Sequence, residues 1–318
     1  MRRHARAVRA AAPISRETQG IIASLVSSIG FATLDAASKG LLATVDARAL
    51  LLARSAAIIA LILLTLALLR QVRVLATPAI GLTMVRSVLF ATTSVLVVVA
   101  LKHLPLADAI ALYYMSPVWT VLLGALILGE GITRSAMLAA LVGLAGAWLL
   151  MQPGSAGFTV WSLFPFIAGA TGALQDVYAR RLRGQTHPTG LLFWGMVAML
   201  PISLLAGASS GPSSAASPIL VLATAIEQGL FALSILAGMV AYFFAAQSFQ
   251  KAPARLIAPL RYLNLLWAVL LGWLIWGTVP GKLQSVGIVL IVIAGFICIR
   301  SSAAQSAVPP HVPPRSAP

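Results

Sequence analysis

The chain has 318 residues, of which 60% are hydrophobic and 9% charged, and its formal net charge at pH 7 is +15. Soluble globular chains are about half apolar and a quarter charged, so this composition excludes a water-soluble fold and predicts a protein embedded in lipid. The basic charge does not indicate nucleic-acid binding, because no soluble domain is predicted that could carry a basic face.

Ten apolar segments are long enough to be predicted membrane spans. A helix needs about 20 apolar residues to cross about 30 Å of hydrocarbon. The connections are short, so neighbouring helices are expected to run antiparallel with no soluble domain between them. The predicted spans are 20–42, 49–69, 79–101, 105–128, 135–151, 158–179, 189–208, 226–249, 254–276 and 283–299.

Two tails flank the spans. Residues 1–19 are Arg-rich and precede an apolar run, which is also the order of a signal peptide. The run is too long for a signal peptide, and its end reads ATLDAASKG, which is not a cleavage site. We therefore predict a basic cytoplasmic tail near anionic lipid heads over 1–19. The Pro-rich residues 300–318 are predicted to be a disordered cytoplasmic tail.

The basic residues are concentrated in alternate connections. They cluster before the first span and after the second, fourth, sixth, eighth and tenth, whereas the loops 152–157 and 209–217 carry no charge. Cytoplasmic loops of membrane proteins are enriched in Lys and Arg. This pattern predicts a multi-pass protein of the cell inner membrane with both termini in the cytoplasm.

The chain repeats itself. The stretch LPLADAIALYYMSPVWTVLLGALILGE, which starts at Leu104, aligns without gaps with APARLIAPLRYLNLLWAVLLGWLIWGT, which starts at Ala252. The ordered Pro, Tyr, Trp and Gly matches are much less expected by chance than apolar ones. The matched pairs are Pro105 with Pro253, Leu112 with Leu260, Tyr114 with Tyr262, Trp119 with Trp267, 121–124 with 269–272, and Gly129 with Gly277.

A second match places the start of each repeat. Asp35 and Lys39 in the first span correspond to Asp176 and Arg180 in the sixth, in each case an acid one helical turn before a base. The predicted fold is all-α and polytopic, with two five-helix repeats over 20–151 and 158–299. Each half has an odd number of spans, so the repeats are inverted relative to each other. Inverted repeats favour alternating access around a site at their interface.

The region from Arg86 to Glu130 resembles the EamA-type branch of the drug/metabolite transporter superfamily. The matching features are an Arg in the third span, the junction ALKHLPLADA at 100–109, Pro117 in mid-span, and Gly129-Glu130 after the fourth span. The resemblance covers nearly the whole chain and implies ten spans and transport of small molecules without ATP hydrolysis. In the second half Thr278 replaces Glu130, so the resemblance implies no symmetric gating role for Glu130.

The resemblance does not identify the cargo. Members of the family move amino acids, nucleotide-like metabolites, riboflavin and S-adenosylmethionine. We expect a secondary transporter of a small polar metabolite, with a planar one such as riboflavin or S-adenosylmethionine as the first candidate. Export of amino acids or drugs is the alternative.

Four basic residues are accounted for neither by loops nor by the first turn of a span, namely Lys39, Arg54, Arg86 and Arg261. A charge at membrane depth costs about 2.5–3.5 kcal/mol on insertion scales, so such residues usually face the protein interior or water. Arg86 and Arg261 are candidates for binding an anionic or polar substrate. The alternatives are that their side chains reach towards the head groups or form structural pairs. Neither arginine has a basic counterpart in the other repeat, as expected for contacts to an asymmetric substrate.

The acid–base pairs Asp35/Lys39 and Asp176/Arg180 are candidates for gates at the two membrane faces. Ordinary helix-end ion pairs are the alternative. Asp35, Asp108 and Glu227 are the candidate carboxylates for proton coupling on the outer side.

Aromatic residues cluster in the fourth and ninth spans. Packing and interfacial belts explain such clusters in many membrane proteins. The functional alternative is stacking on a planar substrate. The candidate substrate-binding aromatics are Tyr113, Tyr114, Tyr262, Trp119 and Trp267.

Other function classes have weaker support. No Cys/His cluster has metal-ligand spacing, no Gly-Lys-Ser/Thr phosphate loop occurs, and no catalytic constellation is visible, so neither a cofactor nor an enzyme is expected. A non-transporting receptor or assembly subunit remains the alternative of another class. The expected partners are a small-molecule substrate and the lipid bilayer, not nucleic acid; proton coupling and a homodimer stay open.

Overall fold

A computed structural model of the protein describes residues 15–42, 44–103, 112–151, 159–208, 224–277 and 279–306. These residues form α-helices and two short 3-10 helices, and the described part contains no strand. The α-helices are α1 Arg16–Leu41, α2 Ala47–Leu68, α3 Ile80–His103, α4 Ser116–Leu128, α5 Arg134–Met151, α6 Leu163–Arg181, α7 Pro188–Ala208, α8 Ala225–Lys251, α9 Ala254–Leu260, α10 Leu263–Trp276 and α11 Lys282–Ser306. The all-α, two-repeat prediction is confirmed.

The helices coincide with the predicted spans. In the described part, six stretches are long and apolar enough to cross a membrane, and α4, α5 and α11 contribute shorter apolar stretches. The first helix begins at Arg16 because the Ser15 hydroxyl accepts a hydrogen bond from Thr18 N at 3.1 Å, which caps the helix. The last helix continues through Ser306, into the segment predicted as a tail.

The ninth predicted span is broken. α9 ends at Leu260, α10 begins at Leu263, and the backbone N–H groups of Arg261 and Tyr262 donate to carbonyls three residues back. Pro259 lies inside α9 and has no N–H, so the regular bonding of that helix is already weakened there. A proline inside a span indicates a kink, and in the structure the helix is interrupted there by a turn over residues 261–262.

The same break occurs in the first half. Leu112 and Tyr113 are helical, Tyr114 and Met115 form a turn, and α4 begins at Ser116. Both α4 and α10 are followed by a glycine in the left-handed region, Gly129 with φ 66° and Gly277 with φ 67°, which other residues adopt only with strain. The repeat read from the sequence is therefore a structural repeat.

Helices from opposite halves pack closely in pairs. α1 and α8 run antiparallel along their whole length, because Gly20 lies against Ala252, Gly30 against Ala241 and Gly40 against Leu230. The equivalent pair is α3 with α6, where the Thr93 and Thr171 hydroxyls are 2.8 Å apart. Small residues allow helices in a membrane to approach this closely.

We call the end of the bundle where α1 begins and α6 and α8 end the basic end, since Arg16, Arg180 and Lys251 lie there. The other end is the opposite end. The ion pairs and hydrogen bonds that matter for function lie between these two ends.

Gly30→Ala is expected to destabilise the protein. A methyl group at Gly30 would lie 2.9 Å from Ala241 N and 3.0 Å from its Cα, and overpacking of this kind costs about 1–3 kcal/mol. Gly81→Ala is the matched control, because nothing lies within 4 Å of an added Cβ in the first turn of α3. Thermal unfolding in detergent measures both variants, and equal melting temperatures would contradict the close α1–α8 contact.

Candidate functional site

The two helix breaks meet each other. The Tyr262 hydroxyl donates to the Tyr114 carbonyl at 3.1 Å, and the two rings stack with centroids 5.9 Å apart. Arg261 Nη2 donates to the Tyr113 hydroxyl at 3.3 Å. Each contact joins residues that correspond in the repeat, so the local twofold axis relating the halves passes between the breaks. Broken helices at a repeat interface are where transporters place their sites.

Two arginines and an aspartate lie on the side of the breaks towards the basic end. Arg261 forms an ion pair with Asp176 of α6, whose side chain is only 8% exposed. Arg86 of α3 is buried, its charge acts on Asp176, and its Nη1 donates to the Leu191 carbonyl at 2.9 Å. Arg86 and Arg261 thus contact interior groups rather than the head-group region.

A second charged group lies towards the opposite end. Asp35 of α1 is affected by the charge of Arg54 of α2, lies within hydrogen-bonding reach of Asn264 of α10, and acts in turn on Tyr114 and Tyr242. These neighbours come from several elements, yet Asp35 itself is exposed. An exposed residue surrounded by protein groups lies in an opening inside the bundle rather than on the lipid-facing surface.

The charges of this cluster do not cancel. Three guanidinium groups and two carboxylates give a net charge of +1, from Arg54, Arg86, Arg261, Asp35 and Asp176. Some polar atoms in and around it also have no partner among the described residues, including Arg86 Nε as a donor and Asn264 Oδ1 as an acceptor. Buried polar groups are normally satisfied, so such atoms indicate a site for a polar ligand.

The two corresponding tryptophans differ in their partners. Trp267 Nε1 donates to the Ser28 hydroxyl at 3.0 Å. Trp119 Nε1 has no partner in the described part, because the repeat places Gly169 where the other half has Ser28. Trp119 instead packs edge-on against Phe166, with ring centroids 5.7 Å apart. The tryptophans therefore pack between helices near the cluster.

Ion-pair and hydrogen-bond contacts join the helices at the basic end. Arg180 Nε lies 3.1 Å from Glu130 Oε1, and Glu130 Oε2 accepts from the Ala254 backbone N–H at 2.9 Å. Lys251 Nζ donates to Gln19 Oε1 at 2.9 Å, which ties α8 to α1. We call the Arg180–Glu130–Ala254 contact the latch.

The remaining predicted gating residues lie elsewhere. Asp176 and Arg180 form ion pairs with residues from other parts of the chain, Arg261 and Glu130, rather than with each other. Lys39 is exposed near the opposite end of α1. Glu227 forms a capping box with Thr224 at the start of α8 and accepts from the Thr44 hydroxyl at 2.7 Å. Asp108 lies outside the described residues.

Sequence reasoning missed several members of the site. Glu130 was given no role because Thr278 replaces it in the second repeat, yet it forms the latch. The sequence prediction does not include Asn264 and Tyr242, which are single polar residues in apolar runs. The available signal for Asn264 was its position just after the break, two residues beyond the matched tyrosine.

The family comparison matches both halves. The model of the EamA-like transporter family matches residues 18–152 and 159–300. A solved crystal structure shares the fold over 91% of this chain and 99% of its own, with a TM-score of 0.73 and 21% identity.

Curated relatives are transporters with different cargoes. A pseudopaline exporter, CntI, of Pseudomonas aeruginosa is 30% identical over 86% of this chain and 94% of its own length. A riboflavin transporter of Brucella anthropi is 28% identical over 78% and 87%. An S-adenosylmethionine uptake transporter of Rickettsia prowazekii is 23% identical over 62% and 64%. The two halves, their helices and these relatives agree: this chain belongs to the EamA-like transporter family and is a multi-pass membrane transporter of small molecules.

Proposed function

We propose that this protein is a secondary transporter that moves a small polar metabolite across the inner membrane by alternating access, with its substrate site at the charged cluster between the two helix breaks. The observation that carries the proposal is the cluster itself. Five ionisable groups at membrane depth are costly, and such groups usually mark a substrate or ion pathway. The cluster lies where the two repeats meet, so both repeats can move about it.

The distribution of basic residues supports an orientation with the basic end in the cytoplasm. In that orientation the latch closes the cytoplasmic side and the exposed Asp35 faces the periplasmic side. The structure then represents a state closed to the cytoplasm. A transport cycle requires the latch to open and the opposite ends of α1 and α8 to close.

The cluster favours a polar cargo. Arg86 Nε, a donor without a partner among the described residues, supports an acceptor group on the substrate. Tyr114 and Tyr262 stack on each other at the helix breaks. A planar metabolite such as riboflavin or S-adenosylmethionine fits this description, and both are named cargoes of relatives. Export of amino acids or drugs is the second candidate, supported by the exporter among the relatives. The alternative of a non-transporting receptor does not explain why charged groups lie at membrane depth where the two repeats meet.

Arg86→Gln is expected to reduce flux about tenfold or more, because a lost hydrogen bond to a charged group is worth about 1.5–3 kcal/mol. Radiolabelled amino acids, nucleosides, riboflavin and S-adenosylmethionine are screened in right-side-out and inverted vesicles, with and without a proton gradient. Arg183→Gln, at an exposed arginine of the basic end, is the matched control and should transport normally. Normal flux in Arg86→Gln would contradict the placement of the site.

Glu130→Gln is expected to open the basic end more often, because it removes the ion pair to Arg180. The readout is the rate at which a membrane-impermeant maleimide labels Ser248→Cys in a Cys298→Ala background, since Ser248 is buried against α1 near Gly20. Labelling in inverted vesicles should become several-fold faster with Glu130→Gln.

Glu227→Gln is the control for the latch, because it removes a carboxylate from the opposite end. It should leave the labelling of the basic end unchanged. Unchanged labelling in Glu130→Gln would show that the latch does not hold the basic end closed.

A further inference from the structure

We infer that Asp35 binds a cationic nitrogen of the transported molecule, so that the substrate class is an amine-bearing zwitterion rather than a neutral heterocycle. This inference rests on the proposed transport function. It assigns a specificity-determining residue and separates the candidate cargoes by charge.

The two corresponding acids, Asp176 and Asp35, differ in their partners. Asp176 is neutralised inside the protein by Arg261. The repeat places Tyr113 where the other half has Arg261, so Asp35 lacks the cation that its counterpart has. A carboxylate at membrane depth needs a partner, and here the chain provides none at the corresponding position.

The nearest other cation does not replace that partner. Arg54 acts on Asp35 through its charge, but its Nη1 donates to the Ser38 hydroxyl at 3.1 Å. Among the described residues, no ion pair within 4 Å joins Arg54 to Asp35. Arg54 is buried, whereas Asp35 is exposed, so a ligand in the opening can reach the carboxylate.

The groups around Asp35 suit an ammonium group. Among the groups near Asp35, Asn264 donates to the Tyr114 hydroxyl at 2.8 Å, and its Oδ1 is an acceptor without a partner among the described residues. An ammonium group has three donors and no acceptor, so it complements acceptors of this kind. Tyr114 and Tyr242 lie within electrostatic range of the Asp35 carboxylate.

The other pole of the cluster is positive. Arg86 and Arg261 lie towards the basic end, and Arg86 Nε is an unused donor. A molecule with an amine at one end and a carboxylate or other acceptor at the other therefore matches the cluster. Its amine would face Asp35, and its acceptor would face the two arginines. A neutral heterocycle would leave Asp35 without a counter-charge.

Replacement of Asp176 and replacement of Asp35 should have different effects on the melting temperature. Asp176→Asn leaves Arg261 without its anion and should lower the melting temperature by about 5 °C or more. Asp35→Asn removes a carboxylate with no internal ion pair and should leave the melting temperature nearly unchanged. A large loss in Asp35→Asn would mean that Asp35 is a structural residue, which would overturn the inference.

The binding test uses charge-matched probes on the purified protein in nanodiscs. L-tryptophan, L-histidine and S-adenosylmethionine are compared with riboflavin and with the N-acetyl forms of the two amino acids, at millimolar concentration. At least one amine probe should raise the melting temperature, its acetylated or neutral counterpart should not, and Asp35→Asn should abolish the shift. Glu227→Gln, outside the cluster, should retain it.

Three outcomes would overturn the inference. The first is that riboflavin or an acetylated probe raises the melting temperature as much as the amines do. The second is that Asp35→Asn keeps the full shift in melting temperature. The third is that no amine probe shifts the melting temperature. Flux of riboflavin by the wild-type protein would preserve the proposed transport function while removing the inference. Absence of flux for every solute in folded, inserted protein would instead count against transport.

Asp35 could also carry protons, and counterflow distinguishes that role. Exchange of labelled for unlabelled substrate without a proton gradient requires binding but no net proton movement. Asp35→Asn should lose this exchange if Asp35 binds the amine. Retained exchange combined with loss of gradient-driven uptake would assign Asp35 to proton coupling and overturn the inference.

Discussion

The ion pair between Asp176 and Arg261 is the interaction on which the site depends. It joins α6 to the break between α9 and α10, and it allows a guanidinium group to remain at membrane depth. With the guanidinium fixed, Arg261 also donates to Tyr113, which positions the break of the other half. This ion pair thus orients both helix breaks and neutralises Asp176. Within the described part of the chain, Asp35 has no ion pair of this kind and is available to bind a ligand.

The repeats share a backbone but differ in chemistry at corresponding positions. The breaks, the terminal glycines and the stacked tyrosines are common to both halves, because they determine how the chain folds and where the halves can move. Arg261 against Tyr113 and Glu130 against Thr278 are unequal pairs. Each unequal pair places a charge on one side of the local axis only, so a symmetric fold contains a polar site with distinct ends.

Much of the fold follows from the sequence, and much of the site does not. Span positions follow from apolar length, and the repeat from ordered Pro, Tyr, Trp and Gly matches, because these depend on local chemistry. The partner of Asp176 could not be read locally, since Arg180 lies one turn away on the same helix and Arg261 lies far along the chain. Pro259 indicates weakened helical bonding near Arg261, but the sequence does not show that the helix is interrupted by a two-residue turn there.

The Arg180–Glu130 contact has no counterpart of the same kind in the other repeat. By the repeat, the positions that correspond to Arg180 and Glu130 are Lys39 and Thr278, and a lysine and a threonine cannot form an ion pair with each other. The ion pair of the latch is therefore specific to the basic end. A substrate that neutralises Asp35 changes the charge at the axis without touching the latch. Coupling between the two therefore requires that the substrate bind more tightly to the arrangement of the halves in which the Arg180–Glu130 contact is open, because a ligand shifts a conformational equilibrium only through its differential affinity for the two states.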